Sequence, residues 1–286
     1  MAIVLDNITY TYGVGTPFEK TALHGISLTI ETGEFLGVIG HTGSGKSTFV
    51  QHLNGLLHPT TGTVTVNGVD ISASTEEAKK MRHKVGMVFQ YPEHQLFEET
   101  IAQDIAFGPK NLGLSADEVD ERVRDAMKFV GLDYNTYAER SPFHLSGGQM
   151  RRVAIAGVVA MNPDFLVLDE PSAGLDPFGR EEIFEEIIRL HKEKGITVIL
   201  VSHNMEDISR MASRLVVLDK GRIVLDGEPM DIFNNHRNEL QAVGVDIPPV
   251  SVTMEYLREQ GLDVSNRVLS VDDAVQAILE GGSHVK

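Results

Sequence analysis

Gly40-His41-Thr42-Gly43-Ser44-Gly45-Lys46-Ser47-Thr48 fits the phosphate-cradling pattern G-x-x-x-x-G-K-[ST] at every required position. Just before it, Glu34-Phe35-Leu36-Gly37-Val38-Ile39 reads as a short buried strand, and just after it Thr48 to Asn54 reads as the opening of a helix. That is the strand-loop-helix setting the mechanism needs. The glycines let the backbone curl tightly, so successive N–H groups point at a phosphate chain and the helix N-terminus adds its positive end. Lys46 then reaches the β- and γ-phosphates, and the Ser47 hydroxyl sits on a magnesium ion. A Gly-rich turn can be plain structure, but Lys-Ser after its last glycine has no packing purpose. The loop alone states only that a nucleoside triphosphate is bound, since GTPases, kinases, transport ATPases and DNA-repair ATPases share it.

The 286 residues suffice for a large core domain plus one smaller unit. A formal charge of −16, from 25 Lys plus Arg against 41 Asp plus Glu, argues against nonspecific binding to DNA or RNA. No cysteine is present, so disulfides and thiolate metal sites are excluded, and a reducing cytosol fits. Apolar runs such as Ile196 to Val201 are far short of the ~20 residues a membrane-spanning helix needs. Met1-Ala2-Ile3-Val4-Leu5 meets Asp6 with no basic n-region, so no signal peptide is expected. The expectation is a soluble chain, whatever it docks on.

Outward from the loop, Ile3 to Tyr12 and Leu23 to Ile30 read as strands around Gly13-Val14-Gly15-Thr16-Pro17, and Thr63 to Val66 and Val69 to Ile71 as a hairpin turned by Asn67-Gly68. Tyr10 and Tyr12 share one strand face; either is core or offers a flat ring to an adenine. Val85 to Gln90 is a further strand. Ser115-Ala116-Asp117-Glu118 is a capping box ahead of Val119, Val123, Met127 and Val130 at helical spacing, ended by Gly131. Residues 95 to 160 are thus mostly helical, as an inserted subdomain would be.

Leu145-Ser146-Gly147-Gly148-Gln149 opens another helix, and two glycines beside a serine hydroxyl leave N–H groups free for a second anion; the bland reading is a plain loop. Phe165 to Leu168 is a buried strand that delivers Asp169 and Glu170 at its C-terminal end, where Pro171 stops it. Adjacent carboxylates there are a costly structural choice. The stripe Ile183, Phe184, Ile187, Ile188 and His191 ends at Gly195, and the strand Ile196 to Val201 hands over Ser202-His203. Ligands of such sheets bind outside the carboxyl ends of the strands, which places His203 with Asp169 and Gly40.

Taken together, these residues resemble the ATP-binding cassette family, the ATPase subunits of ABC transporters. The order is phosphate loop at Gly40 to Thr48, Q-loop at Gln90, signature at Leu145 to Gln149, carboxylates at Asp169 and Glu170, Ser172-Ala173-Gly174-Leu175-Asp176, and His203. The resemblance implies an α/β fold: a RecA-like P-loop core with an antiparallel β-subdomain and an inserted α-helical subdomain over residues 1–237, then a small C-terminal extension over 238–286. Gln51-His52-Leu53-Asn54-Gly55-Leu56, Phe89 to Thr100 and Phe107-Gly108-Pro109 carry a finer match, to the second ATPase subunit of energy-coupling factor importers of the cobalt or vitamin type.

Several roles are implied by that resemblance. Two ATPase subunits face head to tail, so each ATP lies between the phosphate loop of one (Gly40, His41, Thr42, Gly43, Ser44, Gly45, Lys46, Ser47, Thr48) and Ser146, Gly147, Gly148 and Gln149 of the other. Tyr12, with Tyr10 as the alternative, stacks on adenine. Mg2+ lies on Ser47 with Gln90 and Asp169 nearby. Glu170 polarises the attacking water, His203 holds the γ-phosphate and that water in line, and Asp176 reaches across the pair. Pro92 to Phe97 lines a groove for a helix of the membrane partner, unless Leu96 and Phe97 are simply core. The implied partners are a second ATPase subunit, as heterodimer or homodimer, a transmembrane coupling subunit and a substrate-binding membrane subunit, with the ATPase peripheral on the cytoplasmic face of the cell membrane.

Rivals are the ATPase of a conventional ABC transporter and a soluble ABC-type ATPase acting on nucleic acid or the ribosome. The latter carries two cassettes or a long insertion before the signature, whereas here each motif occurs once and Leu145 follows Gln90 by only 55 positions (145 − 90). In the extension, Ile247-Pro248-Pro249 breaks the chain. Val252 to Leu257 and Val271 to Leu279 then read as short helices, with Val271, Ala274, Val275 and Ile278 on one apolar face too small to form a core alone. The expectation is that this face is covered by the core domain or by the second ATPase.

Overall fold

In the computed structural model, which describes residues 1–282, two sheets and a layer of helices stack around the strand that feeds the phosphate loop. β1 (Ala2–Tyr12) and β2 (Lys20–Glu31) pair antiparallel, and β3 (Phe35–Ile39) leads into α1 (Lys46–Leu53). β4 (Thr61–Val66) and β5 (Val69–Asp70) complete an antiparallel sheet of order β2-β1-β4-β5. Next come α2 (Glu76–Arg82), β6 (Val85–Val88), and the helices α3 (Ile101–Asn111), α4 (Ala116–Phe129), α5 (Tyr134–Tyr137) and α6 (Gly147–Val159). β7 (Phe165–Asp169), α7 (Pro177–Lys194), β8 (Thr197–Val201), α8 (Met205–Met211), β9 (Arg214–Asp219) and β10 (Arg222–Gly227) follow. The second sheet has order β10-β9-β3-β8-β7-β6 and is parallel except for the β9–β10 hairpin.

β3, β6, β7 and β8 are buried at every position, which is why they read as unbroken apolar runs rather than alternating ones. Alternation still assigns the two faces. Phe35, Ile39, Leu166, Leu168 and Leu200 join the core shared with the helices, whereas Leu36, Val38, Phe165, Val167 and Val201 join the core shared with the antiparallel sheet. On α4 the Ser115–Glu118 capping box is formed, with Ser115 N–H donating to Glu118 Oε2 at 2.9 Å and Glu118 N–H to Ser115 Oγ at 3.4 Å. Its buried face, Val119, Val123, Ala126 and Met127, packs into the same core as Ile105 of α3 and Val153 of α6. Among the described residues no helix is long and apolar enough to cross a membrane.

β9 and β10 have no counterpart in the sequence reading. They are hidden because the residues that turn them are Lys220 and Gly221, both at positive φ (45° and 71°), a geometry usually marked by Asn-Gly or Asp-Gly. The turn is fixed from both sides: Gly221 N–H donates to Ser44 O at 2.8 Å and Gly221 O accepts from His24 N–H at 2.9 Å.

Beyond β10 lie α9 (Pro229–Asn235), α10 (Arg237–Ala242), α11 (Pro249–Glu259) and α12 (Val271–Gly282). The expected apolar face of α12 divides. Ala274 is buried with Met254, Val264 and Val268, and Ile278 packs on that small cluster, whereas Val271 and Val275 are exposed. The residues before it, 262 to 269, fold back between α11 and α12 and take the inward places. Leu240, Val245 and Leu269 belong to the main helical core, and Ser209 Oγ donates to Leu269 O at 3.1 Å, so the extension packs on its own chain.

A Cβ added at Gly221 would lie 2.1 Å from Ala22 O. Gly221→Ala is therefore expected to cost about 2 kcal/mol or more, from strain at positive φ plus the clash. Thermal denaturation checks it; an unchanged melting point would mean the hairpin turn is free to move.

Candidate nucleotide site

The parallel strands β3, β6, β7, β8 and β9 all deliver their C-terminal ends to one edge of the sheet, so the residues just after them meet across a cleft of about 570 Å³. Tyr12 lies at its rim, Thr42, Gly43 and Gly45 to Thr48 form its floor, and Gln90, Asp169, Glu170 and His203 complete the wall. That volume suits a nucleotide-sized ligand.

The floor is a backbone device. Gly43 and Gly45 take φ of 83° and 107°, and Gly45 in this left-handed conformation caps α1 without any side chain in the way. Gly40 leaves β3 where an added Cβ would lie 2.2 Å from Leu218 O. Lys46 is nearly buried, its Nζ donating to Gly40 O at 2.7 Å and His41 O at 3.1 Å. Burial pulls its pKa down, and the Glu170 and Asp169 carboxyls oppose that shift. Ser44 is fully buried with its Oγ unpartnered. The His41 side chain turns away from the cleft, with Nε2 2.9 Å from Asp219 Oδ1 and Nδ1 2.7 Å from Thr42 O.

Asp169 ends β7, and burial holds its carboxyl above the usual range against a hydrogen bond from Ser47 and the Lys46 charge. Glu170 follows at φ 52°, a left-handed conformation costly for a residue with a side chain and typical of functional positions. Burial, then the Asp169 charge, raises its carboxyl to about 7. Its Oε1 has no hydrogen-bond partner and lies 3.5 Å from His203 Nε2. Burial and the Lys46 charge lower the His203 pKa, which keeps the imidazole neutral at pH 7. A carboxyl poised near neutrality beside a neutral imidazole suits proton transfer from water.

Ser47, Asp169 and Gln90 place hydroxyl, carboxyl and amide oxygens on one wall. Among the described residues no group of three His, Cys, Asp or Glu could hold a metal by itself. One carboxylate with neutral oxygens fits magnesium that also takes phosphate oxygens.

Of the two tyrosines only Tyr12 lines the cleft. Its hydroxyl meets Thr48 Oγ1 at 3.0 Å, and Tyr10 stands edge-on behind it, ring centroids 4.8 Å apart. Lys20, Thr21 and His24 of β2 and the turn Lys220-Gly221 also line the cleft, and the sequence reading missed them. No local motif marks them; the pairing of β2 with the β9–β10 turn brings them in.

Ser146, Gly147, Gly148, Gln149 and Asp176 are absent from this cleft and share a second one of about 550 Å³. Ser146 and Gln149 close a capping box on α6, and Asp176 caps α7 by accepting from Gly179 N–H at 2.7 Å. The Pro92 to Phe97 stretch is divided. Leu96 is core, whereas Phe97 is exposed, edge-on to Phe107 at 4.9 Å, and lines an apolar groove with Gly108, Gly157 and Met161.

The family model for the ABC transporter matches residues 23–173. The chain is 52% identical over 280 residues to the energy-coupling factor transporter ATP-binding protein EcfA2 of Clostridium tetani, covering 98% of this chain and 97% of that protein. Among solved structures, cbiO1 from Clostridium perfringens, part of the ABC transporter complex cbiONQ, aligns with a TM-score of 0.72 at 36% identity over 84% of this chain and 94% of that one. The ATP-binding cassette MJ0796, dimeric and bound to ADP and Pi in a post-hydrolysis state, aligns with a TM-score of 0.70 at 30% identity over 79% of this chain and 98% of that one.

The raised Glu170 carboxyl has a consequence for stability. Between its ordinary 4.5 and about 7 the unfolded chain binds fewer protons at this residue than the native one, so stability falls as pH rises through that window. Glu170→Gln removes this loss. Its melting point relative to wild type is expected to climb from pH 4.5 to 7 and stay level above; a pH-independent difference would contradict the buried, strained setting.

Proposed function

We propose, from the premise that this chain belongs to the ABC transporter family, that it is the ATP-binding and hydrolysing subunit of an energy-coupling factor importer, working as one of a pair. The observation that carries this reading is the split of the machinery. Tyr12, Lys46, Asp169, Glu170 and His203 share one cleft, while the Ser146 turn and Asp176 share another. One chain thus offers two halves of different sites, and two chains head to tail make both whole.

In this mechanism the adenine lies on the Tyr12 ring and the phosphates take the loop N–H groups, Lys46 exchanging its two carbonyl partners for phosphate oxygens. Ser47, Asp169 and Gln90 would hold magnesium, which when bound would supply charge neutralisation for the phosphates. Glu170 accepts a proton as the water oxygen bonds to the γ-phosphorus and the bond to the bridging oxygen of ADP breaks. His203 keeps water and γ-phosphate in line, and Ser146, Gly147, Gly148, Gln149 and Asp176 of the second subunit close the site. A heterodimer is the favoured pair, as the relative's numbered name implies a sibling subunit. The Phe97–Phe107 groove takes a helix of a transmembrane coupling subunit, and a separate membrane subunit carries the vitamin or transition-metal ion, so the chain sits peripherally on the cytoplasmic face.

The α11–α12 unit is a contact of the pair, its exposed Val252, Tyr256, Val271 and Val275 being the surface a second subunit would cover. A chain ending at Ile247 keeps Leu240 and Val245 in the main core. It is expected to bind ATP but to pair more weakly in light scattering; unchanged pairing would remove that role.

Glu170→Gln is expected to retain ATP affinity and lose about a hundredfold or more in turnover, since proton transfer goes while the cradle stays. Lys46→Ala should lose affinity and rate together, because its charge meets the phosphates in ground and transition states alike. Nucleotide binding and steady-state hydrolysis of the assembled complex check both; wild-type hydrolysis by Glu170→Gln would sink the assignment.

A further inference from the structure

We propose that Arg180 is a positioning residue for hydrolysis: its ion pair with Asp207 ties the turn at Asp176, which faces the second subunit, to His203, which faces this chain's own γ-phosphate. The inference rests on the shared-site function proposed above.

The tie closes a ring of short connections. Asp176 caps α7, and Arg180 N–H donates to Asp176 O at 3.0 Å, one helical turn on. The Arg180 guanidinium reaches α8, with Nε and Nη2 donating to Asp207 Oδ1 at 3.1 and 2.5 Å. Asp207 N–H and Glu206 N–H both donate to Asn204 Oδ1, and Asn204 N–H donates to Ser202 Oγ at 3.0 Å, so the start of α8 is fixed immediately beside His203. His203 faces Glu170 at 3.5 Å. From Glu170 two hydrogen-bonded turns, Ala173 N–H to Glu170 O at 3.1 Å and Leu175 N–H to Ser172 O at 3.2 Å, return to Asp176. Every segment of the ring is either a turn or a helix end, and Arg180 with Asp207 is the side-chain bridge that closes it.

The composition of the bridge argues that alignment is its purpose. Asp207 is buried, and only one of its oxygens meets Arg180 while Oδ2 has no partner. Arg180 is half-buried, and a buried carboxylate left half satisfied gives little net stability, because its desolvation offsets the attraction. A guanidinium adds direction instead, since its planar fork fixes the angle as well as the distance. A second bridge joins the same helices at their surface, Arg210 Nη1 and Nη2 to Glu181 at 2.8 and 2.6 Å. Removing Arg180 therefore leaves α7 and α8 attached and frees the ends that carry Asp176 and His203. A displaced turn on one subunit then moves the catalytic histidine of the same subunit, which couples closure of the two sites.

The test uses the assembled complex with Arg180→Met, Arg180→Lys and the double variant Arg180→Met with Asp207→Leu, beside Glu170→Gln as reference. Arg180→Met is expected to lower kcat about tenfold or more through misalignment, with KM for ATP unchanged within about twofold. Arg180→Lys should be intermediate, keeping the charge and losing the fork. The double variant should recover the wild-type melting point, having no unpaired buried carboxylate, and still hydrolyse slowly. Recovery of kcat together with stability in the double variant would overturn the proposal, leaving packing as the role of the pair. So would wild-type kcat in Arg180→Met, or in Arg180→Lys should Arg180→Met fail to fold. Wild-type hydrolysis by Glu170→Gln would instead remove the underlying reading of the site.

Discussion

A lysine ammonium held almost out of water is the constraint on which the structure turns. Burial pulls the Lys46 pKa down, while the Glu170 and Asp169 carboxyls oppose that shift and the Gly40 and His41 carbonyls accept from its ammonium. Those groups are supplied by two different strand ends. β3 ends in the carbonyls and β7 in the carboxyls, while β8 brings His203 to face Glu170. A parallel sheet, buried on both faces, delivers several such ends to one edge, and here helices cover one face and a second sheet the other.

What could be read from the sequence follows the same logic. Elements that speak through local chemistry were legible: the phosphate loop through its glycines, α4 through Ser115 and Glu118, and β7 through an apolar run stopped by Pro171. Elements whose meaning lies in a distant partner were not. β9 offers only Leu215 to Leu218 before a Lys-Gly turn, and nothing local says that this turn will dock on Ser44 and His24 and present Lys220 to the nucleotide cleft. The face of α12 is divided for a related reason. Periodicity grouped Val271 and Val275 with Ala274 and Ile278, but residues 262 to 269 fold back and select only the latter two for the interior.

The choice between Tyr10 and Tyr12 shows where a strand pattern stops informing. Both face the same way in an ideal strand, yet the pairing register of β1 with β2 shifts between Tyr10 and Thr11. An irregularity of this kind re-aims side chains. Tyr12 is turned to the cleft while Tyr10 backs it and lies edge-on to buried His52, centroids 4.8 Å apart.

The cleft at Ser146 and Asp176 is organised by charge as firmly as the phosphate loop is by backbone. Ser146 and Asp176 are thirty residues apart (176 − 146) yet share a cleft, because Arg152, six residues beyond Ser146, pairs with Glu182, six beyond Asp176, at 2.5 Å. Glu186, one turn further along α7, is buried 3.7 Å from the same guanidinium, and burial raises its carboxyl to about 7 in spite of that charge. Arg152 also donates to Val130 O at the end of α4, so the helical layer and α7 are joined at one point. A surface held this way needs little ordering when a partner arrives, and what is not lost to ordering remains available for association. Under the pairing proposed above, the chain carries both halves of its chemistry preformed and leaves only their joining to a second subunit.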